Sequence, residues 1–327
     1  MAHTQTRATA LNHRATILKG LVALAAGLFL ALPMQASSAL AFGPDPRADI
    51  IGHMPVGSSE FHVDAPRGPV SVYAYRPAAA TRHSPIWVVM HGVRREAYRH
   101  IAFDYYDVWW RLAEQYGAIL LVPEFTAEKW PSVWTYTFGN VLSQSLQPIS
   151  WDRTSFHVVD EAFRIAVRLS GSSQRKFSMF GHGAGAQFAQ RYVLHTGGHL
   201  VKRVVAANAG WYLLPDREYQ FPFGLQGTSV GSDTLRRAFA TDVVLLLGQA
   251  DVNYGGGLRN DPQARAQGKT RYERGHFYLA RAKSAAARLG VPLNWRKREV
   301  PGVAHEFERM SPAAAALLAG ADVATAR

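Results

Sequence analysis

The feature that most constrains the fold is a glycine-rich turn between an apolar run and a helix with apolar periodicity. Residues 177–188 read FSMFGHGAGAQF, with glycines at Gly181, Gly183 and Gly185. Glycine adopts positive φ at little cost and allows another backbone to approach closely. This spacing therefore predicts a sharp junction between a buried strand and the helix that follows it.

Two interpretations of this turn lead to different functions. In the first, Gly181, Gly183 and Ala186 form the G-x-G-x-x-A phosphate cradle of a dinucleotide site. In the second, Gly181 and Gly185 flank the centre of a nucleophile elbow, G-x-S-x-G, in which Gly183 replaces the serine. The first interpretation predicts a bound cofactor. The second predicts no cofactor and a hydrolase fold whose attacking atom is missing.

Strand and helix patterns alternate along the rest of the chain. A predicted hairpin (59–65 and 70–77) comes first, and continuous apolar runs then predict buried strands. The apolar runs cover 85–92, 118–125 and 241–251, and further strands are predicted over 176–181, 201–210 and 293–302. Helices are predicted where Ile101, Tyr105, Val108 and Leu112 share one face, over 155–171, 184–195 and 272–290, and from about 311 onwards. This order predicts an α/β fold with a mostly parallel sheet and helices on both faces. We expect one domain over residues 42–327, with 211–232 forming a small cap.

The position of the turn in this order argues against a dinucleotide site. Such a fold places its glycine turn after the first strand and an acidic residue at the end of the next strand. Here the turn follows at least four predicted strands, and the next strand ends in AANAG, which has no carboxylate. The elbow interpretation is therefore favoured.

An elbow also predicts an acid, a base and an oxyanion hole at the carboxyl ends of other strands. Asp251 ends the apolar run LLLGQAD, and His305 follows the last strand in VPGVAHEF. One oxyanion N–H is expected from the loop after the strand that ends MHG, at Val93 or Arg94. The other is expected from Ala184, directly after the centre of the elbow.

These segments resemble the α/β-hydrolase superfamily, and specifically its secreted bacterial esterase and polyhydroxyalkanoate-depolymerase-like members. The resemblance runs through VVMHG, LVPEF, FGHGAGAQFAQRY, LLLGQADVN and VPGVAHEF, and covers most of the chain after its leader. In that family the turn reads like GHSAG. The chain therefore departs from the family pattern at Gly183, the position of the residue that attacks the substrate.

Two functions are compatible with a glycine at this position. Loss of the hydroxyl removes the acyl-enzyme step, so we expect a catalytically impaired protein, a pseudoenzyme that retains a ligand-binding crevice. The alternative is an active hydrolase in which Asp251 orients His305 to activate water for direct attack on an ester. The ligand expected in either case is a small-molecule or polyester-like acyl compound. Four aromatic residues are candidates to line the crevice: Trp130, Trp134, Tyr136 and Trp211.

The N-terminus has the pattern of a secretory signal. Arg14 and Lys19 precede the apolar run 20–32, and the small residues ALA at 39–41 fit a cleavage site. We therefore expect a signal peptide over residues 1–41 and a periplasmic or secreted mature protein.

Composition limits the partners further. The chain has no cysteine, which excludes disulfides and thiolate metal sites, and we expect no metal site of another kind. The net charge of +12 favours contact with anionic surfaces such as acidic membranes. Nucleic acid is not an expected partner, because the basic residues are scattered and the signal directs the protein out of the cytoplasm.

Overall fold

The computed structural model describes residues 53–100, 108–253 and 257–321. The predicted signal peptide over 1–41 lies outside the described residues. Among the helices that are described, none combines the length and the apolar character needed to cross a membrane.

A single sheet of eight strands forms the centre of the described structure. The strands are β1 (Gly57–Val63), β2 (Val70–Arg76), β3 (Ile86–Met90), β4 (Ile119–Pro123), β5 (Phe177–His182), β6 (Val201–Ala207), β7 (Asp242–Gly248) and β8 (Trp295–Val300). Their order across the sheet is β1-β2-β4-β3-β5-β6-β7-β8. β2 pairs antiparallel with β1 and β4, and all other neighbours are parallel. The predicted mostly parallel sheet is confirmed.

Helices cover both faces of this sheet. They are α1 (Val108–Tyr116), α2 (Ser155–Ser170), α3 (Ala184–Thr196), α4 (Ser232–Ala240), α5 (Pro262–Ala266), α6 (Arg271–Arg288) and α7 (Phe307–Ala319). The buried residues of α1 and α7 share one apolar cluster, and those of the other five helices share a second. Neighbouring strand residues divide between the clusters, as Val88 and Val89 of β3 do, because successive side chains point to opposite faces of a sheet.

Three helices differ from the sequence-based expectation. The sequence patterns predict neither α4, although it buries Leu235 and Phe239, nor the short α5. α7 begins at Phe307, not near Ser311, and contains Pro312 in its interior. Ser311 is buried, donates to the carbonyl of Phe307 over 2.8 Å and accepts from the indole of Trp109 over 3.1 Å. The pair Ser311-Pro312 resembles a helix start, but the serine is used here for a contact between α1 and α7.

The two outer glycines of the turn allow three backbone segments to meet. A Cβ on Gly181 would lie 2.2 Å from the backbone carbonyl carbon of Gly185, and a Cβ on Gly185 would lie 2.2 Å from the backbone oxygen of Met90. Side chains never approach backbone atoms this closely. β5, α3 and β3 can therefore pack together only when residues 181 and 185 have no side chain.

We predict that Gly185→Ala destabilises the fold severely. Overpacking costs about 1–3 kcal/mol where side chains can yield, and here the colliding atom belongs to the backbone of Met90. We expect the free energy of unfolding, measured by urea denaturation, to fall by at least about 3 kcal/mol. Gly92→Ala is the matched control, because a Cβ on Gly92 meets no atom within 4 Å. Equal stability of the two variants would contradict this account of the turn.

Candidate active site

Gly183 is the apex of the turn between β5 and α3. Its backbone has φ 56° and ψ −108°, a conformation that residues with side chains rarely adopt. Its N–H donates to the carbonyl of Ala207 over 3.0 Å, and its carbonyl accepts from the N–H of Gln187 over 3.1 Å. A Cβ built on Gly183 would lie 3.2 Å from Nε2 and 3.4 Å from Cε1 of His305. The apex therefore faces the imidazole directly.

The imidazole of His305 is held by Asp251. Nδ1 of His305 donates to Oδ2 of Asp251 over 2.8 Å. The carboxyl side chain of Asp251 is only 2% exposed, and its other oxygen lies 3.6 Å from Nη1 of Arg271. A proton fixed on Nδ1 leaves Nε2 as the acceptor, and Nε2 is the atom that faces Gly183. The structure thus brings together Gly183, His305 and Asp251, three residues predicted from sequence.

Asn208 holds the two chain segments that carry this pair. It is fully buried just after β6, with φ 49°. Its Oδ1 accepts from the N–H of Gly248 at the end of β7 over 2.8 Å, and its Nδ2 donates to the carbonyl of Ala304 over 3.0 Å. Sequence analysis missed this role. The available signal was the asparagine in AANAG, a polar residue at the end of an apolar strand. A buried amide needs hydrogen-bond partners and therefore fixes the loops around it.

The loop after β3 is held by hydrogen bonds from buried groups. Nδ1 of His91 donates to the carbonyl of Gly92 over 2.9 Å, and Nε2 accepts from the N–H of Phe125 over 3.0 Å. The hydroxyl of Tyr136 donates to the carbonyl of His91 over 2.6 Å. Burial lowers the pKa of His91 to about 3, so its ring stays neutral and can accept. These contacts fix the loop that carries Val93.

A pocket of about 710 Å³ opens beside the apex. Its lining includes Val93, Arg94, His182, Gly183, Ala184, Trp211, Arg259, Arg271 and His305. Both candidates for the first oxyanion N–H, at Val93 and Arg94, therefore border the same space as Ala184. Ala184 is the first residue of α3, where backbone N–H groups have no partner within the helix and can bind a developing negative charge.

Of the four aromatic residues expected to line the crevice, only Trp211 borders this pocket. Trp130 and Tyr136 are fully buried in the apolar core, where both pack on Phe125 at ring distances of 5.2 and 5.3 Å. Trp134 packs against the core as well. Trp211 is also buried in this cluster, and it differs from the other three in that it borders the pocket as well. Tyr136 contributes to the site indirectly, through its hydrogen bond to His91.

His182 packs against the imidazole of His305. The two ring centres lie 4.3 Å apart. Burial, followed by the charges of His305 and Arg271, holds the pKa of His182 well below 6.5. A neutral ring beside His305 limits its movement without competing for the carboxylate of Asp251.

The strand order, the elbow and an acid and base at successive strand ends define the α/β-hydrolase class. No protein-family model matches the chain, and no curated protein matches its sequence. Two solved structures are similar over most of the described fold. The poly(3-hydroxybutyrate) depolymerase LpqC from Bordetella parapertussis is 31% identical, with a TM-score of 0.74 over 80% of this chain and 90% of its own. Poly(aspartic acid) hydrolase-1 from Sphingomonas sp. KT-1 is 29% identical, with a TM-score of 0.77 over 81% of this chain and 99% of its own.

The chain therefore belongs to the α/β-hydrolase superfamily, in the same family as the Bordetella protein. The expected resemblance to bacterial esterases and depolymerases is confirmed at this level. The names of the two neighbours describe the breakdown of a polyester in one case and of poly(aspartic acid) in the other. Membership of this family does not by itself establish activity, because the apex residue Gly183 has no hydroxyl group.

We predict that the protein loses stability steeply below pH 6.5. Burial lowers the pKa of His91 and of His195 to about 3, and that of His100 to about 4. Between pH 4 and 6.5 these residues bind protons only in the unfolded chain, so their contribution to stability is complete above pH 6.5 and falls with the pH. Each contributes a slope of up to about 1.4 kcal/mol per pH unit.

Urea denaturation at a series of pH values measures this slope. We expect His195→Leu to reduce proton uptake on unfolding by about one near pH 5. His53→Gln, at an exposed position, serves as the control and should leave it unchanged. A slope that His195→Leu does not alter would show that this residue is protonated in the folded protein.

Proposed function

We propose that this protein binds carboxylic esters in the pocket beside Gly183 and does not form an acyl-enzyme. The proposal rests on the direction in which a side chain at residue 183 would point. A Cβ on Gly183 would lie 3.2 Å from Nε2 of His305, where a nucleophilic serine would give up its proton. Glycine supplies no atom that can attack, so covalent catalysis stops at its first step.

The ligand class follows from the neighbours and from the size of the pocket. One neighbour is named a poly(3-hydroxybutyrate) depolymerase and the other a poly(aspartic acid) hydrolase. We extend the first of these chemistries to this chain and propose a small ester or a segment of a polyester as the ligand. A cavity of about 710 Å³ lies within the range of small-molecule sites.

The alternative is hydrolysis by activated water, and one observation favours it. The hydrogen bond between His305 and Asp251 is formed over 2.8 Å although the serine is absent. Nε2 can then remove a proton from water as the water attacks the ester carbonyl, with the N–H groups at Val93 and Ala184 stabilising the oxyanion. A scaffold that has lost its nucleophile retains roughly 10³–10⁴-fold acceleration over water, so this activity would be slow.

We also propose that residues 1–41 act as a signal peptide and that the mature protein works in the periplasm or outside the cell. The basic composition supports contact with anionic membrane surfaces there. Deletion of residues 1–41, followed by fractionation of the host, tests the first proposal.

We predict that Gly183→Ser gains esterase activity, whereas Gly183→Ala does not. The two variants differ only in the hydroxyl, so steric effects of the Cβ are matched. With 4-nitrophenyl butyrate we expect Gly183→Ser to exceed the native kcat/KM at least about 100-fold, a small part of the roughly 10⁶-fold that a full triad supplies. A fluorophosphonate should label only the introduced serine, and His305→Ala in the same background should abolish both signals.

Assays of ester hydrolysis and covalent labelling on the native protein distinguish the two candidate functions. Slow ester hydrolysis that His305→Ala abolishes, with no covalent adduct in the mass spectrum, would establish the water mechanism. A covalent fluorophosphonate adduct of the native protein would show that another residue attacks. That result would overturn the proposed loss of acyl-enzyme chemistry.

A further inference from the structure

The side of the pocket at Trp211 is built on arginine side chains. Arg259 and Arg271 border the pocket together with Trp211. Arg191 and Arg274 are fully buried. We call Trp211, Arg191 and Arg259 the arginine wall.

Arg191 is a buried charge with incomplete hydrogen bonding. Its guanidinium carbon lies 4.3 Å from the ring centre of Trp211 and 4.9 Å from that of Phe138. Nη1 donates to the carbonyl of Gln187 over 2.9 Å. Nε and Nη2 have no hydrogen-bond partner in the part of the chain that the structure describes. Burial lowers the pKa of Arg191 to about 9, which still leaves the group charged at neutral pH.

Arg259 places a second charge against the same ring, within the pocket. Its guanidinium carbon lies 4.6 Å from the ring centre of Trp211, and its Nε pairs with Asp261. The side chain is 37% exposed, so a ligand can reach its remaining N–H groups. Among the described residues, Asp261 is the carboxylate paired with the two guanidinium groups of the arginine wall, which leaves a positive charge there.

Arg274 makes this side of the pocket rigid. Its guanidinium donates to the carbonyls of Gly268 over 2.9 Å, Gly210 over 2.6 Å and Arg259 over 2.9 Å. The backbone on either side of the arginine wall is thereby held in one arrangement. A pre-arranged group loses less entropy when it binds a ligand.

The acidic side chains of the pocket belong to other segments. Glu96 and Glu308 also border it. In the chain, Glu96 lies four residues before His100, and Glu308 directly follows Phe307. The rings of His100 and Phe307 are in contact, with their centres 4.9 Å apart. Neither glutamate belongs to the arginine wall, and Arg94, which also borders the pocket, lies two residues before Glu96. The arginine wall is therefore a part of the lining to which Glu96 and Glu308 do not contribute.

We propose that the arginine wall binds a free carboxylate, so that the preferred ligand is an ester that also carries an acid group. The ester carbonyl lies at Gly183 and His305, and the carboxylate accepts hydrogen bonds from Arg259. Arg191 raises the positive potential at Trp211 from within the core. This inference rests on the proposed function, because it assumes that the pocket takes esters.

The test compares two ligands of nearly equal shape on the native protein. Monomethyl adipate ends in a carboxylate, and methyl 6-oxoheptanoate ends in a methyl ketone. We expect calorimetry to show at least about tenfold tighter binding of the acid, as charge-assisted hydrogen bonds provide. Added salt should reduce the ratio. Arg259→Gln should bring the ratio close to one.

Arg153→Gln is the control for a general loss of positive charge, because Arg153 borders a different cleft, with Arg67 and Lys129. It should leave the preference for the acid unchanged. Equal affinity of the native protein for both ligands would overturn the carboxylate site while leaving ester binding intact. Failure of both ligands to bind at millimolar concentration would overturn the proposed function, and this inference with it.

Arg191→Met tests the contribution of the buried charge separately. Methionine fills a similar volume without a charge, so we expect unfolding to require at least as much urea as in the native protein. We also expect the preference for the acid to decrease. An unchanged preference would exclude Arg191 from ligand recognition, and a large loss of stability would show that its role is structural.

Discussion

The backbone contact between Gly185 and Met90 is the constraint on which the rest of the site depends. A side chain at residue 185 would place a carbon 2.2 Å from the oxygen of Met90. The absence of that side chain lets α3 begin directly above β3 and β5. The apex at Gly183, the start of α3 and the loop that follows Met90 consequently meet at one edge of the sheet.

The acid and the base do not depend on the side chain at the apex. Asp251 and His305 are carried by the loops after β7 and β8, and Asn208 joins those loops through Gly248 and Ala304. At the apex, glycine accepts φ 56° with less strain than serine would. A glycine at the apex is therefore compatible with both the fold and the pairing of His305 with Asp251.

The strand order and the residues at strand ends could be predicted because both follow from local patterns. Continuous apolar runs mark most of the buried strands, and Asp251 follows one of them. His305 follows β8, which is rich in charged residues and was recognised as the last strand of the α/β order. The aromatic residues could not be assigned in this way. Trp130 and Trp211 are the same residue type in similarly irregular segments, and both are buried in the same apolar cluster. Only tertiary packing determines that Trp211 also borders the pocket and Trp130 does not. Asn208 was missed because its role depends on partners 40 and 96 residues away.

The charge of Arg191 has to be explained separately from the packing of its side chain. Transfer of a guanidinium into the core carries a desolvation cost that apolar residues of similar volume avoid. The faces of Phe138 and Trp211 offset part of it through cation–π attraction, but rings pack equally well on an uncharged side chain. Packing alone therefore gives no reason for a charge at this position. A ligand carboxylate beside Trp211 would give a reason for the charge. Its attraction to Arg191 acts through the weakly screening core and not through water.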